Sequence, residues 1–302
     1  MKIKNNAGHS VFEKLKNYAR KEKLDLNYVL KRYSNERFLH RLSISKYSDD
    51  FALKGAGLFY VWTGENARMT KDIDLLGNIV PDLNKIRVII KEICDKTDIS
   101  DGIVFDTDKI SVEEIRENQI YGGVRVLISS FIHSAVTNMQ IDIGFGDSVY
   151  PPFENVTYPV ILNMEKPQLK AYSRYTSIAE KFEAMVQLDM SNSRMKDFFD
   201  IWYLSKLFDY KISELSKAIY ETFKRRGTMI PTSLPTCFRD EFVLNDQKIR
   251  QWISFIKKSE PTIEVPDFSI VAISVSEFIL PAIKPSDLSL TWNKKCRDWK
   301  PA

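Results

Sequence analysis

Residues 72–76, Asp-Ile-Asp-Leu-Leu, alternate charge with apolar bulk before closing on Gly77. Strand side chains point to opposite faces in turn, so Asp72 and Asp74 share one face while Ile73 and Leu75 share the other. A chain holding this segment needs a sheet with core beneath one face only. The other face must host two carboxylates whose Cα atoms lie roughly 6.6 Å apart. Unpaired anions at that spacing repel and lose hydration, so positive charge must stand among them. An exposed polar face satisfies the pattern, as does a salt bridge to Arg68 or Lys71. A bound cation satisfies it too.

Three other stretches bear on that choice. Gly55-Ala56-Gly57 precedes an apolar run (Leu58, Phe59, Val61, Trp62) that predicts a helix. Glycines at a helix N-terminus let backbone N–H groups approach a phosphate, although such turns are also common without one. In NMQIDIGFGD, 138–147, Ile141 and Ile143 face one way and Asp142 the other, beside Gln140. Paired next to residues 72–74, Asp142 would put three acids on one sheet face, the hard-oxygen donor set of a divalent-metal site. In 176–204, Ser177 and Glu180 have the capping-box spacing that starts a helix. Ile178, Phe182 and Met185 form its inner stripe and Lys181 lies at the edge. Such a lysine either snorkels to solvent or reaches a polyphosphate as a point charge. Farther on, Asp197 and Asp200 lie one helical turn apart while Phe198, Ile201 and Trp202 pack inward. These two acids are either ordinary helix charges paired with Arg194 and Lys196 or part of a site.

The wider pattern predicts an α+β chain: a mixed sheet with flanking helices, followed by a mainly helical C-terminal domain. Helices are expected within 10–46. A helix carrying Ile86, Ile89, Ile90 and Ile93 follows the Asp-Ile-Asp strand, and strands are expected in 102–115, 122–132 and 138–147. The proline-rich passage 150–169 marks a boundary. The expected division is 1–46 (basic N-terminal helices), 47–165 (catalytic domain) and 166–302 (helical domain completing an active-site cleft). Lysines and arginines crowd the first segment, among them Lys2, Lys4, Lys14, Lys21, Arg32, Arg37 and Arg41, against four acids up to Lys46. That suits a polyanionic partner, or equally a solvated helical face. Three isolated cysteines and three isolated histidines suggest neither a disulfide framework nor a zinc site, which fits a reducing cytoplasm. No apolar stretch at the start predicts a secretory signal, and 268–284 is too short and interrupted for a membrane span.

The order of glycine turn, D-x-D strand and third aspartate on a neighbouring strand resembles the DNA-polymerase-β-like nucleotidyltransferases. More specifically, the chain resembles the AbiEii/AbiGii toxins of type IV toxin–antitoxin and abortive-infection (phage defence) systems. The likeness runs from about residue 27 to 255, through LKGAGLFYVW, DIDLLG, YGGVRVLI, QIDIGFGD, AEKFEAMVQL and NSRMKDFFDIWYL. It implies an enzyme that transfers an NMP from an NTP to an acceptor hydroxyl, foremost RNA and, as in some members, a tRNA 3′ end, and so inhibits growth. A protein or small-molecule acceptor, or an idle relative that only binds RNA or a partner, is the alternative. The resemblance further implies Mg²⁺ or Mn²⁺ at Asp72, Asp74 and Asp142, and a phosphate-holding turn at Gly55 and Ala56. Lys181 would lie on the nucleotide phosphates, with Asp197 or Asp200 as the remaining active-site acid. A cognate antitoxin is an implied partner. Ala56 departs from the usual Gly-Ser turn, leaving only backbone N–H groups to hold phosphate.

Overall fold

The computed structural model describes residues 6–64, 68, 70–96, 99–115 and 122–301. Lys2 and Lys4 of the basic N-terminal segment, and Tyr121 of the YGGVRVLI motif, lie outside the described residues. The chain forms two compact units, one of 1–65, 70–146 and 154–171, the other of 66–69, 147–153 and 172–302.

The first unit opens with helices α1 (Asn6–Glu22) and α2 (Leu26–Ser43). There follow β1 (Phe51–Lys54), a 3₁₀ turn at Gly55–Gly57, α3 (Leu58–Thr63), β2 (Ile73–Gly77) and α4 (Leu83–Cys94). The strands β3 (Ile103–Phe105), β4 (Ser111–Ile115), β5 (Gly123–Ile132), β6 (Ala135–Phe145), β7 (Glu154–Thr157) and β8 (Gln168–Ala171) complete it. The eight strands make one mixed sheet, ordered β3-β5-β6-β2-β1-β8-β7, with β4 also paired to β5. The pairs β2/β6 and β1/β8 are parallel and the others antiparallel. Alternation sets the faces as expected: Leu53, Ile73, Leu75, Ile141, Ile143, Val124 and Val126 are all buried.

α2 departs from the picture of a basic arm, because it is buried nearly all round. Its arginines find partners within the first unit. Arg41 grips Asp101 with two bonds of 2.6 and 3.1 Å, Arg37 donates to the Glu165 carbonyl, and Arg32 donates to Glu36. Glu36 also accepts from the Ile161 amide. Removing one partner of such a pair costs about 3–5 kcal/mol, since it strands a buried charge. Arg37 and Arg41 are core residues and Arg32 is partly buried, whereas the segment's lysines at 14 and 21 remain at the surface.

The second unit contains α5 (Arg174–Leu188), α6 (Met195–Leu207), β9 (Tyr210–Lys211), α7 (Ile212–Arg226), α8 (Asp240–Val243), α9 (Asp246–Ser259) and α10 (Phe268–Ile283). It ends in a hairpin of β10 (Leu290–Asn293) and β11 (Asp298–Pro301), which pairs through β10 with β9. The expected inner stripes hold, with Ile178, Phe182, Met185, Phe198, Ile201 and Trp202 all at most 1% exposed. The start of α5 differs from expectation. Ser173, not Ser177, is the cap, its hydroxyl accepting from the Thr176 amide at 3.2 Å. Glu180 turns away to Arg226. Among the described residues no helix is long and apolar enough to cross a membrane.

Candidate active site

The register of the first unit's sheet aligns a row of charges across five strands. Lys54 on β1 faces Asp74 on β2, Asp74 faces Asp142 on β6, Asp142 faces Arg125 on β5, and Arg125 faces Glu113 on β4. Asp74 and Asp142 are therefore direct neighbours, on the face opposite the buried Ile73 and Ile141. Asp72 stands just ahead of β2, its side chain 43% exposed, and Lys31 reaches it at 3.4 Å. Among the described residues Lys71 makes no ion pair with Asp72, and within the second unit Arg68 pairs with Asp200.

The glycine turn is built around Asp74. Gly55 has φ +69°, and a Cβ placed there would stand 2.0 Å from Asp74 Oδ2 and 2.6 Å from its Cγ. Only a residue without a Cβ lets this carboxylate lie so close to the backbone. Ala56 is buried, and Leu58, Phe59 and Tyr60, rather than Val61 and Trp62, form the inner side of α3. That helix has six residues, so its dipole is short.

Asp142 is not free. Both of its oxygens accept from Arg125 at 2.9 Å, the bidentate geometry favoured by guanidinium, and Gln140 donates a third bond at 3.0 Å. Arg125 is held above even its ordinary range, first by its hydrogen bonds to Asp142; the charges of Asp142, Asp72 and Glu113 add to this against some desolvation. The alternation Val124-Arg125-Val126 was the sequence signal for this cation, a charge between two core residues.

Asp72 and Asp74 have the hard oxygen donors that a divalent cation requires, and Asp72 is accessible. Asp142 does not fit as it stands, because Arg125 already supplies its counter-charge. Among the described residues no three His, Cys, Asp or Glu side chains are gathered closely enough to hold a metal ion.

In the second unit, Lys181 is 12% exposed, and Asp197 and Asp200 are fully buried. Lys181 bonds Asp200 at 2.7 Å and stands 3.6 Å from Asp197. Arg68 grips Asp200 through two bonds of 2.7 and 2.8 Å, and Arg194 donates to Asp197 at 2.6 Å. Burial opposes charge on Asp200, yet Arg68 and Lys181 outweigh it and hold the carboxyl well below the usual carboxylate range. One oxygen of Asp197, Oδ1, has no hydrogen-bond partner among the described residues. Lys196, expected as a possible partner of these acids, bonds neither.

A mixed sheet with flanking helices, a D-x-D strand beside a glycine turn and a helical second unit give the chain the α+β architecture that the nucleotidyltransferase resemblance implies. The family model described as nucleotidyl transferase AbiEii toxin, type IV toxin–antitoxin system, matches residues 37–272. The chain belongs to this family, whose members take an NTP, typically with a divalent metal, and have an antitoxin partner. Among solved structures it is similar to MenT4, a nucleotidyltransferase toxin from Mycobacterium tuberculosis H37Rv. The two share 14% identity and a TM-score of 0.56, over 90% of this chain and 87% of that one. It is also similar to JHP933 from Helicobacter pylori, at 13% identity and a TM-score of 0.48, over 82% of this chain and 88% of that one. No curated protein sequence matches.

Proposed function

We propose that this chain moves a nucleoside monophosphate from an NTP to a hydroxyl of RNA, foremost a tRNA 3′ end, and thereby halts growth. The acceptor hydroxyl loses its proton to solvent as its oxygen bonds to the α-phosphorus, the bond from that phosphorus to its bridging oxygen breaks, and pyrophosphate leaves. The observation that carries this reading is the Asp74 carboxylate seated in a notch that only Gly55 leaves open. A carboxylate held that tightly has its position set by the backbone and not by its own rotamer choice. A divalent cation held by Asp72 and Asp74 would supply positive charge at the phosphates.

The chain's own residues do the rest of the positioning. Ile73 and Leu75 lock β2 from below, so Asp74 cannot turn without lifting core residues. We assign Asp142, the direct neighbour of Asp74, to anchoring Arg125 as a fixed cation on the next strand. For Lys181 we adopt the phosphate contact implied by the family resemblance. Asp197, one oxygen of which accepts no hydrogen bond among the described residues and meets only the Lys181 ammonium at 3.6 Å, is preferred over the fully gripped Asp200 as the remaining site acid.

The test incubates the protein with each labelled NTP, Mg²⁺ and total cellular RNA, reading label on RNA and pyrophosphate release. Wild type should label RNA, and Asp74→Asn should lose transfer by orders of magnitude with folding nearly unchanged. Near-normal transfer by Asp74→Asn would refute the assignment. Label on protein or on small molecules instead of RNA would refute the acceptor.

A further inference from the structure

The second unit contains a cavity of about 650 Å³ between the start of α6 and one face of α9. Five cations line it, Arg68, Arg194, Lys196, Arg250 and Lys258, and no carboxylate does among the described residues. Arg68 and Arg194 are bonded to Asp200 and Asp197 behind the wall. Lys196, Arg250 and Lys258 are exposed and make no ion pair among the described residues. Three unpaired cations converging on one hollow repel one another, so the unit carries an electrostatic cost that a polyanion would relieve.

The cavity walls are held in place rather than formed by chance. Lys248, only 4% exposed, donates from α9 to the carbonyls of Met190 and Asn192 at 2.7 Å each, tying α9 to the loop that leads into α6. Phe255 on the cavity wall packs edge-on against Phe199 of α6. On α9, Arg250, Ser254 and Lys258 recur every four residues, giving a polar stripe about 12 Å long at 1.5 Å per residue. A stacked strand rises about 3.4 Å per nucleotide, so that stripe matches roughly three nucleotides. This exceeds what a single mononucleotide's phosphate tail needs.

We propose that this cavity binds the phosphate backbone of a single-stranded RNA segment, through Lys196, Arg250 and Lys258. The inference rests on the RNA acceptor proposed above and adds the surface that holds it.

The test measures anisotropy of a short fluorescein-labelled single-stranded RNA of mixed sequence across a salt series. The full-length wild type is compared with the triple variant Lys196→Gln, Arg250→Gln, Lys258→Gln. Lys257→Gln, exposed on α9 but outside the cavity lining, is the control. Single-strand binding loses about 0.7 in log–log salt slope per phosphate contact, so the triple variant should show a slope shallower by about 2. Its affinity for NTP should match wild type, and Lys257→Gln should bind RNA like wild type. Unchanged RNA binding in the triple variant, with wild type still binding and labelling RNA, would overturn this inference and leave the acceptor reading intact. Equal loss of NTP and RNA affinity would reassign the cavity to the nucleotide and overturn it as well. Failure of wild type to bind or label RNA would remove the acceptor reading and this inference together.

Discussion

Gly55 and Gly64 offer a controlled comparison, because both have left-handed backbone, at φ +69° and +74°, but different surroundings. A Cβ at Gly64 would meet no atom of the described residues within 4 Å, whereas at Gly55 it would overlap three atoms of Asp74 at 2.0, 2.6 and 2.7 Å. Replacing either with alanine costs about 1–2 kcal/mol of backbone strain. Gly55→Ala must also displace a carboxylate or shift the strand, an overpacking cost of about 1–3 kcal/mol more. Urea denaturation should therefore find Gly55→Ala destabilised by about 2–5 kcal/mol and Gly64→Ala by the backbone share alone. In the transfer assay Gly64→Ala should stay near wild type, while displacement of Asp74 should cost about a hundredfold. Asp74→Ala deletes two of the three overlapping atoms. Added to Gly55→Ala, it should recover part of the lost stability, a coupling of about 1–3 kcal/mol in a double-mutant cycle. Equal stability losses at the two glycines, or a cycle with no coupling, would refute the notch.

The remaining predictions use other parts of the two units. If Asp142 anchors Arg125, Asp142→Asn and Arg125→Gln should lower transfer by similar factors and the double variant should fall little further; a much larger loss from Asp142→Asn alone would make Asp142 a metal ligand instead. Lys181→Ala should cost about 3–5 kcal/mol by uncovering Asp197 and Asp200, and should raise KM for NTP, whereas Lys166→Ala and Lys170→Ala should do neither; equal effects from all three would refute the role of Lys181. Burial pushes the Glu36 carboxyl up to about 7 from an ordinary 4.5, against the charge of Arg32 and the bond from the Ile161 amide. A raised carboxyl favours folding below 4.5, and that contribution is lost as pH rises through about 7. Wild type should therefore lose about 3 kcal/mol relative to Glu36→Gln over that interval in urea titrations, and parallel profiles would refute it.

Much of this was legible in local pattern. Alternation alone put Ile73 and Leu75 in the core and Asp74 on the opposite face, and helical spacing found the stripes of α4, α5 and α6, because each depends on near neighbours in sequence. Features that depend on distant partners were not legible. α2 reads as a basic surface helix until Asp101, Glu165 and Ile161 arrive from elsewhere to satisfy Arg41, Arg37 and Glu36. Ser173 and Ser177 offer similar caps, and only the extended backbone at Ser173 decides between them. The terminal hairpin was hidden in a tail whose Trp292 and Trp299 find their carbonyl partners on Ser205 and Phe278. Arg125 needed the register of β5 against β6, which no single strand contains.

The position of Arg68 limits how this chain can be divided or recombined. It belongs by its contacts to the second unit, where it grips the buried Asp200, yet Thr70 and the Asp72–Asp74 strand that follow belong to the first. No single cut yields both units whole. A fragment of 172–302 would carry Asp200 with Lys181 alone, missing the guanidinium that supplies two of its bonds. Relatives that exchange segments by recombination would inherit the same problem unless the crossover spared the stretch from 68 to 74 and its distant acid together. Arg68 and Asp200 must therefore pass on as a pair, although 131 residues separate them in the chain.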